Sequence, residues 1–512
     1  MTAVDPRWGD WKTEPPDLEE AALRETLHCD VAVVGAGIAG VACALRAAQN
    51  GLKVIVLEKS AKWSARGGNI GVPNSRLMRA QGLENDPDAL AREWIKRCGN
   101  RCDEEVLWQF LRNGEAAMDW LLDIVTLPEY GCRPVLQGCR YAGETYLEYY
   151  GSHRFFDGPM ARAGARAGAA DAVFAMFGEA QKLGVEFRFL SPAYKLCCSG
   201  GRVSGVDARD AEGFFRVLAR RGVVLATGDI GGNEAMCEDL APIANRCAAK
   251  IYAPKGCNTG DGHRMGLWAG GAFEMTPFPT MIHPQAFFFA NYCFLFVGPD
   301  GRRFMNEDNY IQGKGLALLR KNLTFAWSIL DGGWAEKIPA SLPCGGGLFW
   351  GRDHTTEEAP FSEEDTRAML ERGERAGLVI RADTPAALAE GMGVPPEVFA
   401  DTLRRYNALT AKGHDDDFGK RPELLFPLDT PPYYALKFGP ALLAVVGGLR
   451  VGPGMDVRDA EGRTIPGLYA VGNAAGGRYG VDYPMLLVGN SHGTALTFGY
   501  LLGNLLADGT NP

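Results

Sequence analysis

Residues 29–60 read CDVAVVGAGIAGVACALRAAQNGLKVIVLEKS, and they decide the fold class because one short stretch holds a strand, a glycine turn, a helix and a second strand. Asp30 to Val34 is a short apolar strand run, Ala39 to Asn50 a helix of small residues, and Lys53 to Leu57 the next strand. Gly35, Gly37 and Gly40 keep G-x-G-x-x-G spacing between them. The first glycine permits the tight turn, the second lets backbone N–H groups approach a pyrophosphate, and the third lets helix and strand pack closely. Phosphates belong at the helix N-terminus, where donors are unpaired and the dipole favours anions, so Ile38 and Ala39 are expected there. Glu58 ends the second strand, where a carboxylate accepts hydrogen bonds from ribose hydroxyls. The unit predicts a dinucleotide on an α/β, Rossmann-like domain.

The chain has 512 residues, enough for two or three domains. Asp and Glu number 62 against 53 Lys and Arg, a net charge of −9, which argues against nucleic acid or an anionic membrane as the main partner. The N-terminal MTAVDPRWGDWKTEPPDLEE has no basic region followed by an apolar stretch, so no secretory signal is expected. The longest apolar run, Ala286 to Val297, is about half the length of a spanning helix. Thirteen scattered cysteines, with no C-x-x-C pair, suit reduced thiols in the cytoplasm and no metal centre. Cys98 and Cys102 lie four apart on an expected helix.

Apolar residues recur at helical spacing from Asp86 to Val125, and a further helix is expected to end at Leu183. Val185 to Thr227 alternates, with turns at Gly200-Gly201 and Ala211-Glu212-Gly213, and predicts a β-meander ending in LATGD. The aromatic-rich 279–436 segment reads as an inserted α+β cap domain. It divides the Rossmann-like domain into 1–278 and 437–512, and Thr494 to Leu506 is the closing helix.

The blocks VVGAGIAG with Glu58, SARGGNIG, LATGD, NTGDGHRMGLWAGGAFE, GRRFMNED and IPGLYAVGN occur in order along most of the chain. Together they resemble the flavoprotein family of fumarate reductase, succinate dehydrogenase, urocanate reductase and 3-ketosteroid Δ1-dehydrogenase. The resemblance implies FAD across the Rossmann-like domain, with the flavin facing the cleft to the cap. It also implies cofactor contacts from Lys59, Arg66, Gly67, Gly68, Asn69, Ala226, Thr227, Gly228, Asp261, Gly472, Asn473, Gly489, Asn490 and Ser491. Asn473 stands where the family has a glutamate, and Asp229 where it repeats glycine. Ala61 falls about where flavinylated members carry histidine, so the FAD is expected to be non-covalent.

Dicarboxylate-reducing members of that family use arginines, and here Ile311 and Leu486 fall at those positions, while Leu443-Ala444-Val445-Val446 replaces a histidine. A dianion without guanidinium partners would be buried unpaired, which disfavours fumarate and succinate. The ketosteroid-dehydrogenase branch fits better, through Tyr483-Pro484 and the later Thr497-Phe498-Gly499-Tyr500. In that reading Tyr483 bonds a ketone oxygen, Tyr310 takes the α-proton as the β-hydride leaves, and His283 lies in the cleft. All three also read as packing residues, as do Tyr130, Tyr149, Tyr150 and His492. Of Phe287, Phe288 and Phe289, no more than two face a pocket, because strand side chains alternate.

The function expected is therefore desaturation of the bond α,β to the carbonyl of a cyclic ketone, or the reverse enone reduction, with an external electron acceptor or donor. The alternatives are a reductase of an unsaturated monocarboxylate anchored by Arg478 or Arg352, a non-catalytic flavin electron-transfer subunit whose cleft is blocked, and a nicotinamide-only dehydrogenase.

Overall fold

The structure is a computed structural model that describes residues 11–137, 149–165, 168–251, 256–288, 293–344, 346 and 361–509. Phe289 and Arg352 lie outside them. The strand Leu23–Val34 is central to the larger sheet. It runs parallel to Val54–Leu57 on one side and to Gly213–Leu225 on the other. Thr464–Ala470 extends the sheet beyond Gly213–Leu225, and Glu186–Arg188 extends it beyond Val54–Leu57, both in parallel. Central parallel strands covered on both faces read as continuous apolar runs, and Val31, Ala32, Val33, Val54, Ile55 and Val56 are buried accordingly. Each fully buried valine or isoleucine contributes about 1.5–3 kcal/mol.

The helix Ile38–Gln49 packs against the C-terminal helix Asn490–Asp508 through small residues. Gly499 sits so close that an added Cβ would lie 2.4 Å from the Ala39 carbonyl oxygen. The meander is Ala193–Ser199, Arg202–Asp210 and Gly213–Leu225, antiparallel in sequence. The residues directly after Val185 do not join it. Glu186–Arg188 is an edge strand of the parallel sheet instead.

The Asp86–Val125 periodicity resolves into two helices, Pro87–Arg97 and Glu104–Val125, capped by the Asp86 and Asp103 carboxylates. Cys98 and Cys102 are not on one helix, because Gly99 at φ 62° and Asn100 at φ 56° turn the chain between them. None of the twelve described cysteines forms a disulfide. No helix among the described residues is long and apolar enough to cross a membrane.

A second sheet is organised on the long strand Tyr433–Val445. Its first half pairs with Ala326–Leu330 and Val379–Ala382, and its second half with Thr280–Phe287 and Ala249–Lys250. The boundary expected at 436/437 therefore falls inside a strand. Ile329, Leu388, Phe399 and Leu436 fill a core beside this sheet that is distinct from the core of the parallel one. Phe288 packs on that second core, while Phe287, at φ 68°, is 47% exposed.

Candidate functional site

A continuous cleft starts at the glycine turn, passes the ends of the parallel strands and reaches the second sheet. At its first end Gly35 sits at φ 108° with its N–H donating to the Leu57 carbonyl at 2.8 Å. The helix Ile38–Gln49 begins at Gly37 with no side-chain cap, so its first N–H groups are left for an anion on the cleft. Gly40 does not line the cleft; a Cβ there would lie 2.0 Å from the Gly35 oxygen, so its task is close packing of helix on turn. The Glu58 carboxylate accepts the Ala36 and Ser60 N–H groups, each at 2.8 Å. Each oxygen keeps a second lone pair, and Glu58 is on the cleft wall, so ribose hydroxyls can be accepted as well.

The next stretch of wall is held by charge. Lys59 Nζ donates to Asp261 and to Thr259 Oγ1, both at 2.7 Å, and Arg264 donates to Asp261 at 2.7 Å. Burial alone would raise the Asp261 carboxyl, but these two cations outweigh it and hold it below the ordinary carboxylate range. Asp229, at the family's glycine position, accepts Gly231 N–H and Asn258 Nδ2–H at 2.6 Å each. Burial pushes its carboxyl up to about 6, against the pull of the Gly231 N–H and of Arg66. Asn258 opens the block NTGDGHRMGLWAGGAFE but was not among the expected site residues, and the carboxylate it serves explains its place.

Gly67, Gly68 and Asn69 line the next part of the cleft together with Gly472, Asn473, Gly489 and Ser491. Asn473 Oδ1 accepts Ser491 Oγ–H at 3.2 Å and Arg478 at 3.4 Å. Arg478 is buried, donates to the Gly472 carbonyl at 2.6 Å, and does not line the cleft, so it braces this turn and is not an anchor for a substrate anion. Gly489, at φ 83°, begins the helix Asn490–Asp508 without a side-chain cap. Asn490 is buried off the cleft, accepting the Tyr479 hydroxyl and donating to the Pro484 and Leu487 carbonyls. His492 is on the wall above Gly67, and its Nδ1 donates to the Asn69 carbonyl at 2.8 Å, which leaves Nε2 as the acceptor in the neutral ring.

At the far end Tyr483 and His283 line the cleft, together with Met281, Leu443, Ala444, Met485 and Val488. The Tyr483 hydroxyl accepts Ser491 N–H at 3.3 Å. Burial raises this phenol well above its usual range, so it stays protonated and its own hydrogen serves as a donor. Burial pushes the His283 imidazole down to about 3, which makes it neutral at physiological pH. Tyr310 does not line the cleft. It stands at the start of the helix Ile311–Arg320 with its hydroxyl on Asp482 at 3.4 Å. Tyr130, Tyr149 and Tyr150 are likewise off the wall. The apolar residues of this end were legible only as a lost histidine and lost arginines, since no motif marks an apolar wall.

The uncapped helix start, the acceptor at Glu58 and the glycine-lined wall fit FAD along the whole cleft, and Ala61 offers no nucleophilic atom for covalent attachment. Ala61 itself is exposed. Comparison with known proteins agrees. The FAD binding domain family model matches residues 30–485. The chain is 28% identical to vinyl phenol reductase of Lactiplantibacillus plantarum, over 94% of this chain and 97% of that protein. It is 27% identical to 3-oxosteroid 1-dehydrogenase of Mycobacterium tuberculosis, over 94% and 98%. Among solved structures, a flavocytochrome c3 fumarate reductase superposes with a TM-score of 0.72 at 23% identity, covering 95% of this chain and 79% of that one. The 3-ketosteroid Δ1-dehydrogenase of Sterolibacterium denitrificans gives 0.71 at 20% identity, covering 94% and 99%. This chain belongs to the FAD binding domain family, and it is an FAD-dependent oxidoreductase that acts on carbon–carbon bonds.

Proposed function

We propose that the protein dehydrogenates the carbon–carbon bond α,β to the carbonyl of a neutral cyclic ketone, or reduces the corresponding enone. The observation that carries this reading is the far end of the cleft: a protonated phenol and a neutral imidazole set among Met281, Leu443, Ala444, Met485 and Val488. Bound FAD supplies the two-electron chemistry, accepting or donating a hydride. In the dehydrogenation direction the α-carbon gives a proton to water, the β-carbon gives a hydride to the bound cofactor, and negative charge develops on the ketone oxygen as the α-proton leaves. Tyr483 donates its hydrogen to that oxygen, and Ser491 N–H holds the phenol in place. His283 adds a hydrogen-bonding group without adding charge. The open cleft speaks against an electron-transfer subunit with a blocked site.

A carboxylate substrate finds little support, because Arg478 faces away and Ile311 and Leu486 are buried apolar residues. Turnover with fumarate, succinate, a cyclic enone, a saturated cyclic ketone and a 4-vinylphenol, followed by flavin absorbance under anaerobic conditions, tests the reading. The neutral cyclic compounds should change the oxidation state of the flavin and the dicarboxylates should not. Fumarate reduction at a rate comparable with the best enone would overturn it. The 4-vinylphenol is included because a relative matched over 97% of its length is a vinyl phenol reductase, and a phenol is also a neutral oxygen group.

Cofactor binding has its own test. Glu58→Ala removes the acceptor for ribose and should weaken FAD binding by about 1.5–3 kcal/mol, the range for a hydrogen bond to a charged group. Titration of apo-protein with FAD measures it, and an unchanged Kd would remove Glu58 from the cofactor site.

A further inference from the structure

Two polar residues behind the cleft wall join its two sides. Gln312, fully buried in the first turn of the helix Ile311–Arg320, accepts Ile282 N–H at 2.9 Å through Oε1. Its Nε2 donates to the Thr280 carbonyl at 2.5 Å and to the Asp482 carboxylate. Reversing the amide would mispair all three bonds, so the side chain has one orientation. Asp482 Oδ1 in turn accepts the backbone N–H of Tyr483 at 2.9 Å, and Oδ2 accepts the Tyr310 hydroxyl at 3.4 Å. Every partner of this carboxylate among the described residues is neutral. Burial pushes it up to about 6. A half-buried carboxylate satisfied by three neutral donors is costly to keep, and an apolar pair would fill the same space more cheaply. The bonds of Gln312 fall on the strand that carries Met281 and His283, and those of Asp482 on the residue that carries the cleft phenol.

We propose that Gln312 and Asp482 form a latch that fixes the Tyr483 wall against the Met281–His283 wall, making both positioning residues for the reaction. Tyr310 is the third member, holding the second carboxylate oxygen. This inference rests on the assignment of Tyr483 as the donor to substrate oxygen.

The test is a double-mutant cycle on the holoenzyme with the cyclic ketone or enone turned over fastest in the screen above. Gln312→Leu should lower kcat about 10–100-fold with KM changed far less and the flavin spectrum intact. Combined with Tyr483→Phe, it should cost much less than it does alone, because the part of its effect that acts through Tyr483 is already gone. Losses that multiply, or a wild-type rate for Gln312→Leu, would overturn the latch. A wild-type rate for Tyr483→Phe would instead sink the donor assignment beneath it. Should Gln312→Leu fail to hold FAD, Gln312→Glu keeps the length and sets a second carboxyl against Asp482. The titratable groups facing that pair are Tyr310, Tyr483 and Cys98, whose Sγ lies 3.9 Å from the Asp482 carbonyl. Activity of Gln312→Glu relative to wild type should recover from pH 8 to pH 5.5, as one proton is shared between the carboxyls. A pH-independent ratio would overturn the proposal.

Discussion

Tyr483→Phe is expected to lower kcat by about 10²–10³, equivalent to about 2.7–4 kcal/mol, as the loss of one preorganised oxyanion donor does. The magnitude follows from where the hydroxyl sits. It is buried against Tyr479, with ring centroids 5.4 Å apart, and its oxygen is fixed by Ser491 N–H, so no reorganisation is needed as charge develops on the substrate. Phenylalanine keeps the ring and its packing on Tyr479, which itself stacks on Trp94 with a centroid distance of 5.8 Å. The flavin spectrum and thermal stability should therefore stay close to wild type. KM should rise much less than kcat falls, because the ground-state ketone carries little of the charge that the donor stabilises. The phenol stays protonated across the physiological range, so the loss should be the same from pH 6 to pH 9. Steady-state rates of the two proteins across that range check the point. A loss confined to high pH would identify Tyr483 as a base, and an unchanged rate would identify it as packing.

The two ends of this cleft were unequally legible from sequence. The cofactor end depends on backbone geometry, and backbone geometry leaves a sequence trace: a left-handed turn demands Gly35, and close packing demands Gly40. Glu58 is legible for the same reason, since it must end a strand whose period is visible. The substrate end depends on which side chains from distant segments converge. Tyr310 and Tyr483 both looked suited to proton chemistry, yet only Tyr483 reaches the wall, because the helix starting at Ile311 turns Tyr310 toward Asp482. Gln312 carries no motif at all, and its importance exists only once Thr280, Ile282 and Asp482 are brought to it. The strand Tyr433–Val445 shows the same limit on the scale of elements. Nothing in its sequence shows that its two halves pair with four separate strands and so cross the expected boundary.

Gly35→Ala should empty the cofactor site. A Cβ at this position would lie 2.4 Å from the Ala226 carbonyl oxygen and 2.8 Å from its carbon. Both are backbone atoms at the end of a central strand, and that strand end is pinned by Ala226 N–H donating to the Val34 carbonyl at 2.8 Å. Neither side can yield without shifting the sheet. The φ of 108° adds strain of about 1–3 kcal/mol for any L-residue, and the overlap adds roughly 1–3 kcal/mol more. Relief comes most cheaply by moving the turn, which carries the uncapped N-terminus of the helix Ile38–Gln49 away from the phosphates. Two to four kcal/mol directed into that motion weakens FAD by about 30- to 1000-fold. Gly51→Ala is the control, because Gly51 also has positive φ, at 82°, but no atom lies within 4 Å of its added Cβ. It should lose about 1–2 kcal/mol of stability and keep its flavin. Flavin occupancy after gel filtration and the melting temperature of both variants separate the two effects. Full occupancy in Gly35→Ala would mean that the turn can relax without moving the helix, and that the glycine spacing is not what holds the pyrophosphate site in shape.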